Sequence, residues 1–390
     1  MIISKAKRLE RVGEYYFSGK LELIRQMRAA GTDVINLGIG SPDLAPSSEA
    51  IAAASSALHT ETNHGYASYR SSPELRKGMA EWIRSTYGVT LDPEKEVLPL
   101  LGSKEGILYA SLAFLNPGDR VLVPNPGYPA YSAVAELIGA EVVYYDLEEK
   151  NGWLPDFAAL GKMDLSKCKL MWVNYPHMPT GRSANPELFR KLVDFGRRSK
   201  ILIGNDNPYG LVLNRDAPLS LLSADPAKEV GFEMNSLSKS FNMAGWRVGM
   251  LLGSSAVVDA VLQVKSNVDS GMFLPIQAGA AAALRNPSAW HEARNRVYAE
   301  RRQVVWKIFD ALGFSYDREQ VGLFVWAKAP DSVPEVGAFV DELLAEAHVF
   351  LTPGSIFGSN GRRFARSSLC ARKPLLEEAL KRIKEWRKSR

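Results

Sequence analysis

The sequence predicts an α/β protein: a large domain on a mostly parallel central sheet, with a smaller α+β domain beside it. Three observations carry this. Short apolar runs alternate with amphipathic stretches of about ten residues or more from Pro73 to Leu252, the rhythm of βαβ units. After about residue 280 long charged helical patterns take over. The chain has 390 residues, more than one ordinary domain holds. The expected division is residues 46–279 for the large domain, and 1–45 with 280–390 for the small one.

In chain order, Pro73 to Tyr87 reads as a helix. Glu105 to Leu115 is a second, stopped by the turn Asn116-Pro117-Gly118-Asp119, whose proline and glycine cannot continue it. Val121-Leu122-Val123 is a short buried strand, Tyr128 to Ile138 a helix, and Glu141 to Leu147 a strand. Lys169 to Asn174 is a strand, Pro186 to Ser199 a helix, Ile201-Leu202-Ile203 a strand, and Val248 to Leu252 another. Pro287 to Leu312 reads as helical, and Leu323 to Trp326 and Arg363 to Leu369 as strands. Leu376, Ala379, Leu380 and Ile383 fall at helical spacing, so the basic run Lys381 to Arg390 closes an amphipathic helix whose dipole favours cations there. That reading is preferred over a nucleic-acid patch.

Composition narrows the class. Hydrophobic residues make up 46% and charged residues 23%, with a modest net charge of +5, as in a water-soluble globular protein. Two cysteines, Cys168 and Cys370, allow no disulfide framework or zinc spacing and read as buried thiols. No apolar run reaches the ~18 residues that span a bilayer. Met1 to Arg11 is basic but lacks an apolar signal core. The expectation is a cytoplasmic protein with no membrane or nucleic-acid partner and no metal.

Parallel sheets bind ligands at the carboxyl ends of their strands, so the residues just after each strand matter most. Pro126-Gly127-Tyr128-Pro129, Asn174-Tyr175-Pro176-His177-Met178-Pro179-Thr180-Gly181 and Asn205-Asp206-Asn207-Pro208-Tyr209 stand there. Gly102-Ser103-Lys104-Glu105-Gly106 opens a helix. Ser236-Leu237-Ser238-Lys239 precedes Arg247 by eight residues. Alone, S-x-x-K also fits a penicillin-binding serine site, but its companions S-D-N and K-T-G are missing. Gly38-Ile39-Gly40 is no dinucleotide fingerprint, because Asp43 stands at the third glycine.

Together these segments, in this order from Asn36 to Arg366, resemble the class I/II aminotransferases of the aspartate aminotransferase superfamily. The texture is nearest the diaminopimelate-aminotransferase-like branch. The resemblance implies that family's fold, pyridoxal 5′-phosphate (PLP) as cofactor, and transfer of an amino group from an amino acid to a 2-oxo acid such as 2-oxoglutarate, in alternating half-reactions. It makes Lys239 the Schiff-base lysine and proton carrier. Asp206 would pair with the pyridine nitrogen, Tyr209 would bond the phenolic oxygen, and Tyr128 would stack on the ring. Ser103 and Lys104 at a helix N-terminus, with Ser236, Ser238 and Arg247, would cup the phosphate. Tyr66 would reach the phosphate of a neighbouring subunit, which implies a homodimer with shared sites. Arg366 would grip the substrate carboxylate, helped by Asn174 and the Gly40 backbone.

One departure stands out. Where the family carries an asparagine whose amide bonds the phenolic oxygen, this chain has Met178, which donates nothing. Tyr209 alone, His177 or a water must serve there. The same residue set fits a carbon–sulfur β-lyase. A PLP-sensing regulator is disfavoured, since only about 35 residues precede Asn36. No arginine lies between Val261 and Leu284, where dicarboxylate-specific members place one, which argues against aspartate as donor. Met272, Phe273 and Tyr15-Tyr16 would suit an apolar or long side chain.

Overall fold

Helix ends are written in the chain. Before Pro73–Tyr87, the Ser72 hydroxyl accepts from the Leu75 N–H at 3.2 Å, proline fills the first turn, and Gly88 ends the helix at φ 70°. Asn185 caps Pro186–Ser199 in the same way, accepting from Leu188 N–H at 2.8 Å. That helix buries Leu188, Phe189, Leu192 and Val193 on one face and leaves its charges outside.

The computed structural model describes residues 3–389; Met1, Ile2 and Arg390, which belong to the basic terminal runs, lie outside the described residues. A seven-stranded sheet orders its strands Val97–Leu100, Gly249–Gly253, Gly231–Ser236, Leu202–Asn207, Cys168–Val173, Arg120–Asn125, Glu141–Asp146. Gly249–Gly253 runs antiparallel to both neighbours, and the remaining pairings are parallel. A second, antiparallel sheet joins Thr352–Pro353, Phe364–Ser368, Phe324–Lys328 and Ser315–Tyr316. Ile35–Asn36 pairs in parallel with Val349–Phe350, which ties the N-terminal segment to the C-terminal part.

The predicted helices form, with ends shifted by up to two residues. Two strands of the large sheet, Val97–Leu100 and Gly231–Ser236, had no counterpart in the sequence reading. Gly231–Ser236 is masked by polarity. Its Glu233 is buried and accepts from Leu221 N–H (2.7 Å), Asn235 Nδ2 (2.9 Å), Asn205 Nδ2 (3.0 Å) and Asn207 Nδ2 (3.3 Å). Buried polar groups are tolerated when satisfied this fully, so the core is knitted by amides where periodicity expects aliphatics. The same network lets the predicted strand Ile201–Ile203 continue through Asn-Asp-Asn as Leu202–Asn207.

The C-terminal helix Lys373–Lys388 buries Leu376, Ala379, Ile383 and Trp386, as its spacing predicts. Both cysteines are buried free thiols. Among the described residues no helix is long and apolar enough to cross a membrane.

Candidate active site

The carboxyl ends of Arg120–Asn125, Cys168–Val173, Leu202–Asn207 and Gly231–Ser236 converge on a cavity of about 380 Å³. Of the cofactor- and substrate-binding residues that the resemblance implies, all but Tyr66 line it. Tyr66 is 93% exposed on a loop and has no place in this chain's own cavity.

Lys239 sits in the short helix Leu237–Ser240, entered when Ser236 Oγ accepts from Ser238 N–H at 3.2 Å. Its amine donates to the Gly40 carbonyl. Burial holds that amine below its usual range, and the positive charges of Arg366 and Arg247 push the same way. A depressed amine is neutral more often, as a nucleophile or proton acceptor must be.

Asp206 ends its strand inside the protein. Tyr131 donates to Oδ2 at 2.9 Å, while Oδ1 is buried without a partner. Burial pushes this carboxyl up to about 7, against hydrogen bonds from Tyr131 and Ser103. A buried carboxylate oxygen left open fits a ligand that brings a cationic N–H.

Ser103 begins the helix Ser103–Phe114, whose preceding Gly102 has φ 88°. Gly102 takes a φ that glycine adopts without strain, and the Arg247 guanidinium lies against it where a Cβ would stand. Arg247 Nη1 donates to Ser238 Oγ at 3.3 Å. Helix N–H groups, two serines and an arginine thus converge, a donor set suited to a phosphate. Lys104 lies 4.5 Å over the Tyr15 ring, its amine lowered by burial and by Arg247.

Arg366 is 4% exposed, and among the described residues no carboxylate pairs with it. Nη2 donates to the Gly38 carbonyl at 2.9 Å, Nη1 points at Met178 Sδ at 3.1 Å, and Nε has no partner. Its guanidinium stacks 3.8 Å over Phe324 and 4.6 Å from Phe357. Burial lowers its pKa to about 10. A desolvated guanidinium with open N–H groups is a receptor for a carboxylate.

Other placements differ from the sequence reading. Asn174 lines the cavity, but its amide is engaged with the main chain: Nδ2 donates to Asp206 O, and Oδ1 accepts from Met178 N–H at 2.8 Å. His177 is buried outside this cavity, its Nδ1 against Thr180 Oγ1 at 2.8 Å and its pKa lowered to about 3 by burial. The donor position vacated at Met178 is therefore not filled by His177; the methionine sulfur packs on Arg366 instead. Met272 is in the core, Phe273 is half-exposed beside His64, and neither lines the cavity. The apolar wall comes from Tyr15, Phe17, Leu21, Ile39, Phe324 and Phe357. Tyr131, in the helix Ala130–Ile138 three residues past Tyr128, packs edge-on to Tyr128 and was missed.

A sheet of this topology, with a buried lysine, an open buried carboxylate, a phosphate-type donor set and a lone buried arginine around one cavity, is that of a PLP-dependent enzyme. The chain belongs to the aminotransferase class I and II family, whose model matches residues 32–383. It is 39% identical over 383 residues to the LL-diaminopimelate aminotransferase of Dehalococcoides mccartyi, covering 98% of each chain. It is similar to BacF from Bacillus subtilis (TM-score 0.93, 36% identity, 99% of this chain and 98% of that one). It is also similar to the aspartate aminotransferase of Thermus thermophilus solved with maleate (TM-score 0.91, 25% identity, 98% and 100%). The lyase reading finds no support among these relatives.

Proposed function

We propose that the cavity transfers an amino group from an amino acid with an extended side chain to 2-oxoglutarate, with Lys239 as the anchoring lysine and proton carrier. The carrying observation is that a buried amine, an open buried carboxylate and an unpaired buried guanidinium line one cavity. PLP, when bound, supplies an aldehyde for the amine and a ring that withdraws electrons from the reacting carbon. The chain's residues do the rest. Asp206 holds a proton on the pyridine nitrogen. Tyr209 donates to the phenolic oxygen, and Tyr128 covers the ring. Ser103, Lys104, Ser236, Ser238 and Arg247 hold the phosphate. Arg366 orients the substrate by its carboxylate, with Gly40 and Asn174 shaping that end. Lys239 would carry the proton at the substrate's Cα. Exposed Tyr66 fits a role across a homodimer interface. We take residues 46–279 as one domain, residues 1–45 with 280–390 as the other, and the cytoplasm as the working compartment.

The aromatic and aliphatic wall favours a long or apolar side chain, and the relatives make LL-diaminopimelate the first donor to test. Spectrophotometry of donors with 2-oxoglutarate is expected to show kcat/KM for LL-diaminopimelate or phenylalanine at least ~10-fold above aspartate, about 1.4 kcal/mol of discrimination. Aspartate as the best donor would overturn this specificity.

The two arginines are expected to fail differently. Arg366→Ala removes a charged two-pronged contact of about 2–3 kcal/mol, raising the amino-acid KM while cofactor stays bound. Arg247→Ala weakens cofactor retention, seen as PLP lost on dialysis. Loss of cofactor from Arg366→Ala with unchanged KM would reverse the assignment.

A further inference from the structure

The long helix Ser288–Leu312 touches the site without lining its cavity. Arg294, Tyr298 and Arg301, spaced i, i+4, i+7, share one face and are 4%, 0% and 4% exposed. Arg294 pairs with no carboxylate among the described residues. Instead Nη1 donates to the carbonyl of Ser240, next to Lys239, and Nη2 to that of Leu211, two residues past Tyr209. Asn295 Oδ1 accepts from Nη2 at 3.0 Å. Tyr298 hydroxyl donates to Asn242 Oδ1 at 3.3 Å. Arg301 grips Asp43 with Nη1 at 2.6 Å and Nη2 at 3.0 Å, and Nη1 also reaches the Leu369 carbonyl at 3.1 Å. Asp43 is three residues past Gly40, and Leu369 three past Arg366.

One helical face therefore contacts the chain beside Lys239, two residues past Tyr209, and three residues past both Gly40 and Arg366. Burial lowers the Arg294 pKa to about 10. A cation kept inside with no anion is an expensive way to fill a helix–loop contact that apolar side chains fill elsewhere. What it provides is geometry. Seven helical residues span about 10 Å at fixed length. Reacting groups displaced by ~1 Å lose ~100-fold in rate.

We infer that Arg294 and Arg301 are positioning residues for transamination: Arg294 sets the lysine end of the site, Arg301 sets the carboxylate-gripping end, and the helix fixes the distance between them. This rests on the roles proposed above for Lys239 and Arg366.

The test uses Arg294→Lys and Arg301→Lys in the PLP-loaded enzyme. It reads kcat, KM for the amino donor, the pH midpoint of the bound cofactor's visible absorbance, and thermal unfolding of the cofactor-free proteins. A lysine reaches one carbonyl where Arg294 reaches two. Arg294→Lys is expected to lower kcat ~10–100-fold and move the absorbance midpoint, with KM within about threefold. Arg301→Lys is expected to raise KM about tenfold and leave the midpoint in place. If either lysine variant fails to fold, Asn295→Ala and Asp43→Asn loosen the same two arginines and must show the same split at smaller amplitude. Variants that move kcat and KM together, or lower only the unfolding temperature, overturn the inference. Failure of the underlying site reading has a separate signature, near-normal turnover in Lys239→Ala; an inactive Lys239→Ala with no split between the arginines sinks this inference alone.

Discussion

Lys239→Ala is expected to give a folded protein that takes up PLP without linking it, and whose transamination falls by several orders of magnitude. The structure explains why folding survives. The Lys239 side chain makes one hydrogen bond, to Gly40 O, and no ion pair among the described residues. Its removal takes a partly desolvated amine out of a cavity wall, and the neighbouring Ser236 cap and Arg294 contacts to the same turn remain. The catalytic loss combines two terms. A positioned proton carrier is worth ~10²–10⁴-fold, and loss of the covalent anchor adds to it. Two measurements decide it: the visible absorbance of the lysine-linked cofactor should vanish while PLP still co-elutes with the protein, and the rate with the best donor should drop to near background. An added primary amine should restore part of the proton transfer, because the cavity keeps the room. Turnover near the unmodified level would refute the assignment of Lys239.

Much of the site was readable because its residues sit in segments whose order resembles a known family and which fall at strand ends, where a parallel sheet collects function. Lys239, Arg247, Asp206 and Tyr209 were each named from such a segment, and they line one cavity. What escaped was of two kinds. Gly231–Ser236 carries no strand signal because its Glu233 is satisfied by amides from neighbouring strands, a tertiary fact no local pattern carries. Of the apolar wall only Tyr15 was named; the rest of it and Tyr131 escaped for a related reason. Phe17, Ile39, Phe324 and Phe357 come from four distant stretches, and an aromatic in an apolar pattern reads as core wherever it lies. The Met178 departure was visible, but not its consequence. That the thioether packs on Arg366, while His177 is turned away toward Thr180, depends on the packing of the loop against the C-terminal sheet.

The second large effect concerns Asp206, and its sign reverses between the cofactor-free and PLP-loaded forms. Without cofactor, burial pushes the carboxyl from 3.8 up to about 7. Between these values the folded protein holds a proton that the unfolded chain has released. Stability therefore falls as pH rises from about 4 to about 7, by up to ~4 kcal/mol in all. Asp206→Asn cannot ionise, so its cofactor-free form should escape this loss. Chemical denaturation should show the variant gaining on the unmodified protein as pH goes from 5 to 8, with little difference at pH 4. With PLP present the ranking inverts. In the role proposed for Asp206, the unpartnered Oδ1 would face the cofactor's cationic N–H, while Tyr131 keeps Oδ2. Removing one partner of a buried charged pair costs about 3–5 kcal/mol. Asparagine there would also leave the ring nitrogen without the carboxylate that would hold its proton, so kcat should fall ~10²–10⁴-fold. Asp206→Glu keeps the charge and should recover part of the rate, limited by a side chain one methylene too long for its seat beside Tyr131. An Asp206→Asn enzyme that turns over within tenfold of the unmodified one, or whose cofactor-free stability follows the same pH course, would show that this carboxylate is held for the fold and not for the ring.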